Sequence, residues 1–210
     1  LREARTTLGR APELTEPVRT ALAGLAAQLS EPTVLSQLLQ AIDEGPRAPS
    51  ADTLEALVAE LRGAALGPLL SWLATAPAGL ARTAVERAAQ KLAERHTADL
   101  VRHIESDDGA VAQSAIRLAA LLRSTAAVPA LGKLVRQGGA TVRHEAAQAL
   151  GAIGTAGALQ ALEPLVEDAD RDVRMTALRA IGTARHGAAL PRLARLLQRS
   201  EEHTSELQSH

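Results

Sequence analysis

The sequence predicts an all-α protein, a right-handed α-solenoid built from about five helix-pair repeats. Three observations lead to this prediction. Alanine and leucine supply 45 and 34 of the 210 residues, whereas 11 valines, 5 isoleucines and a single aromatic residue, Trp72, leave little material for strands. Apolar residues recur at helical spacing. The same apolar pattern also returns at a fixed interval along the chain, as it does in repeat proteins.

Four sets of equivalent positions define the 31-residue period. They are Ala84, Ala115, Ala146 and Ala177; Leu80, Val111, Val142 and Val173; Leu100, Leu131, Leu162 and Leu193; and Ile104, Val135, Val166 and Leu197. Leu54, Leu70 and Ala74 lie 30 residues before Ala84, Leu100 and Ile104, and they extend these three sets by one repeat. Five repeats therefore cover residues 50–198.

Each repeat contains two helical patterns, which we call its first and second helix. In the fourth repeat these carry the apolar stripes Val142, Ala146, Ala149, Leu150 and Ile153, then Leu159, Leu162, Leu165 and Val166. Gly154 and Gly157 bracket the tight turn between the two helices. One such pair buries too little apolar surface to be stable alone, so the repeats must stack on their neighbours. The alanine set lets adjacent first helices approach closely, where leucine would hold them apart.

Capping residues and prolines predict where the helices begin. Thr141 and Asp172 hold equivalent positions before their first helices, where a side-chain oxygen caps free N–H groups. Pro129 and Pro191 hold equivalent first-turn positions in their second helices, where no hydrogen bond is lost. Pro164 lies deeper in its helix, so we expect that helix to start late or to kink.

Two segments resemble a known repeat. VRHEAAQALGAIG (142–154) and DVRMTALRAIGTA (172–184) are similar to the first helix of the HEAT repeat, in the short bacterial form named after phycobilisome lyases. The resemblance implies a ladder between repeats, made by an aspartate in the inter-repeat turn and an arginine early in the first helix. Asp168, Arg174 and Arg143 match these positions, whereas Ala112 replaces the arginine in the third repeat. The aspartate is replaced as well, by Gln137 and Ser106, so we expect an incomplete ladder.

We expect three regions along the chain. Residues 1–49 hold two further helical patterns and form a helical pair that is either a degenerate repeat or the edge of an upstream region: Val18, Leu22, Leu25 and Leu29, then Leu35, Leu38, Leu39 and Ile42. Residues 50–198 form the HEAT-like repeats. Residues 199–210 (RSEEHTSELQSH) look like a translated sequencing adapter and are expected to be non-native. Because the chain starts at Leu1 and ends in this adapter-like string, we expect a natural protein that is longer at both ends. We also expect a cytoplasmic location.

Composition and charge exclude several classes of protein. With no cysteine there is no disulfide framework, thiolate nucleophile or Cys-ligated zinc site. The net charge of -1 gives no support for a dominant nucleic-acid or membrane-surface partner. The stretch from Gly63 to Ala81 contains no charged residue, but Pro68 and Pro77 interrupt it, so we interpret it as a helix, a turn and a helix start.

Residues with catalytic or ligand-binding chemistry are few, and the prediction is no catalytic residue, no metal site and no cofactor. His96, His103, His144 and His186 show no metal-ligand spacing. His103 occupies a core position that is leucine in the other repeats, namely Leu73, Leu134, Leu165 and Leu196. A hydrogen-bonded or edge-exposed core histidine is favoured there over a ligand or a pH switch.

The second helices should line the concave face, as in the resembled family. Helical geometry turns two rows of their side chains outward: Trp72, Arg102, Lys133, Pro164 and Arg195, then Thr75, Glu105, Arg136, Glu167 and Gln198. Trp72 is the best single indication of a partner surface, since Trp and Arg are favoured at binding hot spots. It could equally pack against a loop or the 1–49 region. The basic residues of these rows could meet acidic groups, but glutamates interrupt them, which favours a solvated face.

Three functions remain open. We favour a non-catalytic scaffold that binds an unknown protein partner through its concave face, with adjacent repeats of the missing chain as further neighbours. The family resemblance allows a second function, an enzyme or enzyme-assisting protein of the phycobilisome-lyase type, although no residue can be assigned a lyase role. The third, nucleic-acid binding as in HEAT-like DNA glycosylases, is disfavoured because one tryptophan without tyrosine or phenylalanine offers little to hold an extruded base.

Overall fold

The computed structural model describes residues 24, 28–44, 61–184, 187–191, 194, 195 and 198. Within these ranges all regular structure is helical and no strand occurs. The α-helices are α1 (Pro32–Glu44), α2 (Leu66–Thr75), α3 (Leu80–Arg95), α4 (Thr97–Ile104), α5 (Gly109–Leu121), α6 (Val128–Gln137), α7 (Ala140–Ile153), α8 (Ala156–Leu162) and α9 (Arg171–Thr183). Short 3₁₀ helices span Gly63–Ala65, Thr125–Ala127, Glu163–Glu167 and Gly187–Ala189. The predicted all-α class is confirmed.

The period of the sequence is also the period of the helices. The first helices α5, α7 and α9 begin at Gly109, Ala140 and Arg171, which are equivalent positions of successive repeats. The second helices α2, α4 and α6 begin at residues 66, 97 and 128, and these starts are separated by the same interval. Among the described residues, the second, third and fourth repeats are therefore helix pairs, as predicted.

The chain divides into two compact units, and the boundary between Leu118 and Ala119 lies within α5. In the first unit, α2 packs against α1 and α3, and α4 packs against α3 and α2. In the second unit, the first helix α7 packs against the next first helix, α9. The second helices α6 and α8 also contact each other, so both layers of that unit stack by repeat.

The alanine set faces the core, as the stacking argument required. The exposed fraction is 2% for Ala84 and 0% for Ala115, Ala146 and Ala177. The described members of the leucine set, Leu100, Leu131 and Leu162, are also fully buried. Leu54, Leu193, Leu197 and the side chain of Leu80 lie outside the described residues.

Two helix caps differ from the prediction. The residue that caps α9 is Asp170, whose carboxylate accepts hydrogen bonds from the backbone N–H groups of Asp172 at 2.9 Å and Val173 at 3.1 Å. Asp172 itself lies in the first turn of the helix, so its predicted capping role is wrong. Thr141 was also predicted wrongly, because α7 begins at Ala140 after Gly139, which makes no side-chain cap. In both helices the prediction placed the start two residues too late.

The proline positions follow the predictions more closely. Pro129 lies in the first turn of α6, directly after the 3₁₀ helix Thr125–Ala127. Pro191 has the same relation to the 3₁₀ helix Gly187–Ala189. The helix with Pro164 does not start late; instead, α8 ends at Leu162 and the chain continues as the 3₁₀ helix Glu163–Glu167. A 3₁₀ turn at this point is consistent with the hydrogen bond that the proline nitrogen cannot donate.

Several regional predictions can be compared with the structure only in part. The charge-free stretch forms a 3₁₀ turn, α2 and the start of α3, as predicted. None of the helices in the described ranges is long and apolar enough to cross a membrane. The second apolar pattern of residues 1–49 corresponds to α1, with Leu35 and Leu39 buried. Most of the first pattern, residues 45–52 and residues 199–210 lie outside the described residues.

Candidate functional site

In the first unit, the outward positions of the second helices carry Trp72 and Arg102. Trp72 lies on α2 and is half-buried, whereas its neighbour Leu73 faces the core. Arg102 lies on α4 with its side chain 68% exposed, and its guanidinium donates to the carboxylate of Asp99, three residues earlier on the same helix. This cation is therefore partly neutralised within its own helix.

In the second unit, the outward positions carry more basic groups. Lys133 and Arg136 are exposed on α6, while Leu131 and Val135 of the same helix are buried. Arg195 is exposed as well, and its Nε donates to the carbonyl of Pro191 at 3.3 Å. Glutamates alternate with these cations as the sequence indicated: Glu105 and Glu167 are exposed and Glu163 is half-buried. Whether these residues bind a partner stays a prediction.

The predicted ladder residues lie together in the second unit, and Asp168 pairs with Arg143. The guanidinium of Arg143 on α7 donates to both carboxylate oxygens of Asp168, at 2.8 Å from Nε and 2.7 Å from Nη2. This pair raises the pKa of Arg143. The hydrogen bonds from Arg143 also hold the pKa of the Asp168 carboxyl below its ordinary value, even though burial acts in the opposite direction. The carboxylate of Asp168 further accepts the N–H of Asp170 at 2.8 Å.

Arg174 takes a different role from the one that its position implied. Its Nη1 donates to the backbone carbonyls of Asp168 at 2.7 Å and Ala169 at 2.9 Å, and not to a carboxylate. Arg143 makes the same kind of bond with its Nη1, to the carbonyl of Gly138 at 3.0 Å. Gly138 and Ala169 hold equivalent positions in successive repeats. The backbone bonds of these arginines therefore repeat, whereas the carboxylate bond needs the aspartate that Gln137 replaces one repeat earlier.

His103 is a half-buried residue at the interface between α4 and α2. Its ring lies over Gly67, where an added Cβ would come within 3.0 Å of Cε1. Burial lowers the pKa of His103, the nearby charge of Arg102 lowers it further, and Asp99 opposes the change. In the sequence, the glycine at position 67 is the signal of this close contact. Among the described residues, no three His, Asp or Glu side chains form a group that could hold a metal ion.

A groove between α7 and α9 was not predicted from the sequence. It has a volume of about 430 Å³ and a floor of small residues, Ala147, Gly151, Ala180 and Ala184. The other lining residues are Gln148, Thr176, Arg179 and Thr183, which we call its polar rim. The signal in the sequence is two pairs of small residues four apart, Ala147 with Gly151 and Ala180 with Ala184.

Part of this chain matches a family model, and two solved structures are similar to it. Residues 97–174 match the family model described as HEAT repeats. No curated protein matches the chain. Among solved structures, an engineered protein is 19% identical with a TM-score of 0.40, and the match covers 92% of this chain and 89% of that one. The complex of CpcE and CpcF of phycocyanin lyase from Nostoc sp. PCC7120 is 24% identical with a TM-score of 0.42, and the match covers 81% of this chain and 65% of that one.

Proposed function

Because residues 97–174 match HEAT repeats, we propose that this protein is a non-catalytic scaffold that binds a protein partner through the outward side chains of its second helices. A HEAT array supplies a helical framework whose exposed rows are set by the repeat register. The partner of this chain is expected to contact those rows.

The observation that carries this proposal is the recurring exposure of the same helix positions. Arg102, Lys133 and Arg195 are exposed at equivalent positions in the second, third and fifth repeats, whereas Leu100 and Leu131, two residues earlier on their helices, are fully buried. The exposure of side chains at this helix position is therefore a consequence of the repeat. Within each unit, the side chains at this position are available to a partner.

The chemistry of the row indicates the kind of contact. Trp72 is a large aromatic side chain that the fold leaves partly exposed, and arginine can bind a carboxylate through two parallel hydrogen bonds. Both residue types are enriched at hot spots of protein interfaces. We therefore infer a partner surface that presents apolar and acidic groups.

The test is a pull-down with the natural full-length protein, followed by affinity measurements on the captured partner. Trp72→Ala and Arg136→Glu should each weaken binding by about tenfold or more, since truncation at a hot spot costs ~2 kcal/mol. The matched controls are Leu121→Ala, an exposed apolar residue on a first helix, and Arg171→Glu, an exposed arginine of the second unit. These should change affinity by less than about twofold, because surface contacts outside an interface contribute little.

Two kinds of result would contradict the proposal. Equal losses in the test and control variants would show that the second-helix face is not the binding surface. Transfer of a tetrapyrrole chromophore in a spectroscopic assay, or binding to duplex DNA at low ionic strength, would instead favour the lyase-type or the nucleic-acid hypothesis.

A further inference from the structure

We propose that the groove between α7 and α9 binds a short acidic peptide segment of another protein, with Arg179 pairing to a glutamate or aspartate side chain. This site is formed by two first helices. It is therefore separate from the second-helix rows of the proposed function, and either one can exist without the other.

The groove exists because two helices meet over small residues. A Cβ added to Gly151 would lie 2.9 Å from the Cβ of Ala180, so the backbones approach closely at this point. Ala147, one turn before Gly151 on α7, and Ala184, which directly follows α9, continue the same floor. Within the described residues the space above them forms an open groove, and its volume of about 430 Å³ falls within the range of ligand-binding clefts.

The charge of the groove comes from Arg179. It is the ionisable side chain among the lining residues, it is exposed, and it makes no hydrogen bond or ion pair with any described residue. By contrast, Arg143 of α7 binds Asp168 and Arg174 of α9 binds backbone carbonyls. A carboxylate can therefore approach Arg179 without displacing a partner within the described chain.

The polar rim is held in place by His144. Gln148 Nε2 lies 2.9 Å from His144 Nε2, and because an amide nitrogen only donates, the ring nitrogen is the acceptor. The ring proton is then on Nδ1, which donates to the hydroxyl of Thr176 at 3.3 Å. With its oxygen accepting from the histidine, the Thr176 hydroxyl is free to donate its own proton to a peptide carbonyl in the groove.

These features together favour an acidic peptide over other anions. The alanine floor suits side chains of alanine or glycine size, and Arg179 offers one bidentate contact for a carboxylate. A nucleic acid would need several cations along its backbone, whereas the groove supplies one. The occupant is therefore a peptide in which a small residue lies next to a glutamate or aspartate.

The test uses fluorescence anisotropy with a labelled peptide of alternating glutamate and alanine, and the full chain at low ionic strength. A peptide of alternating glutamine and alanine is the charge control. We expect the glutamate peptide to bind and the glutamine peptide to bind at least about tenfold more weakly, as for the loss of one charged pair. Arg179→Glu should lower the affinity for the glutamate peptide by the same factor. Thr183→Trp fills the groove without changing its charge, so it should lower the affinity for both peptides.

One further variant separates this site from general charge attraction. Arg171→Glu makes the same charge change on the same helix outside the groove. It should leave the affinity within about twofold of wild type. No binding of the glutamate peptide to wild type, unchanged binding in Arg179→Glu, or an equal loss in Arg171→Glu would each overturn the proposal, and circular dichroism confirms that every variant is folded.

Discussion

The close approach of α7 and α9 at Gly151 makes a sharp prediction about glycine replacement. In a helix, glycine to alanine ordinarily stabilises by about 1 kcal/mol, because alanine loses less conformational entropy. At Gly151 the new Cβ would lie 2.9 Å from the Cβ of Ala180, well inside the ~3.5–4.0 Å optimum for two carbons. The helices must then separate, and overpacking of this kind costs roughly 1–3 kcal/mol. Gly151→Ala should therefore lower the free energy of unfolding by about 0–2 kcal/mol.

Gly182 on α9 is the matched control for this replacement. A Cβ added there meets nothing within 4 Å, so Gly182→Ala should stabilise the protein by about 0.4–1 kcal/mol. Urea denaturation of the full chain, followed by circular dichroism, measures both values. In Gly151→Ala/Ala180→Gly the clash is removed, so the double variant should be more stable than the sum of the single effects by about 1–3 kcal/mol. If Gly151→Ala stabilises as much as Gly182→Ala, or if the two sites show no coupling, the first helices are not in the close contact described above.

The remaining predictions concern single side chains and are all measurable by denaturation. Asp170→Ala should cost about 1 kcal/mol by removing the cap of α9, whereas Thr141→Ala, which removes no cap, should change stability by less than about 0.5 kcal/mol; equal effects would contradict the observed caps. Asp168→Asn should destabilise at neutral pH, and its deficit should shrink in acid, because the carboxylate pKa is lowered in the folded state and the stabilisation is lost as pH falls through it. His103 has a folded-state pKa below its ordinary 6.5, so the unfolded chain binds the proton more readily and wild-type stability should fall as pH drops below about 6.5. That fall should be weaker in His103→Leu, and an identical pH profile for the variant would refute this role.

The buried sets were predictable from the sequence because their periodicity directly reflects burial. Ala84 to Ala177 recur at one interval since every copy occupies the same place in the stack, and the structure buries all four. The helix caps were less predictable. A cap is set by where the backbone leaves helical geometry, and Asp170 and Asp172 are chemically equivalent candidates for it. The residue type therefore located the helix start to within two residues and no better.

The partner of Asp168 shows a second limit of sequence reasoning. The family pattern indicated which residues lie near each other. The bond itself joins Asp168 to Arg143, which lies 25 residues earlier in the sequence. Arg174 is closer in sequence, and its guanidinium is taken by two carbonyls of the turn. The choice between these arginines is made by local backbone geometry, which a repeat pattern does not encode.

The groove follows from the same residues that stack the repeats. Small side chains at Gly151 and Ala180 let α7 and α9 touch, and the same small size leaves the space above the contact unfilled. The charge that such a cleft can offer a ligand depends on which arginines are not hydrogen-bonded to the turns between repeats. Here the turn engages Arg143 and Arg174, whereas Arg179 lies further along α9 and beyond its reach. One helix thus contributes both a stacking contact and a cation at the surface, so stability and recognition can be changed separately at Ala180 and at its neighbour Arg179.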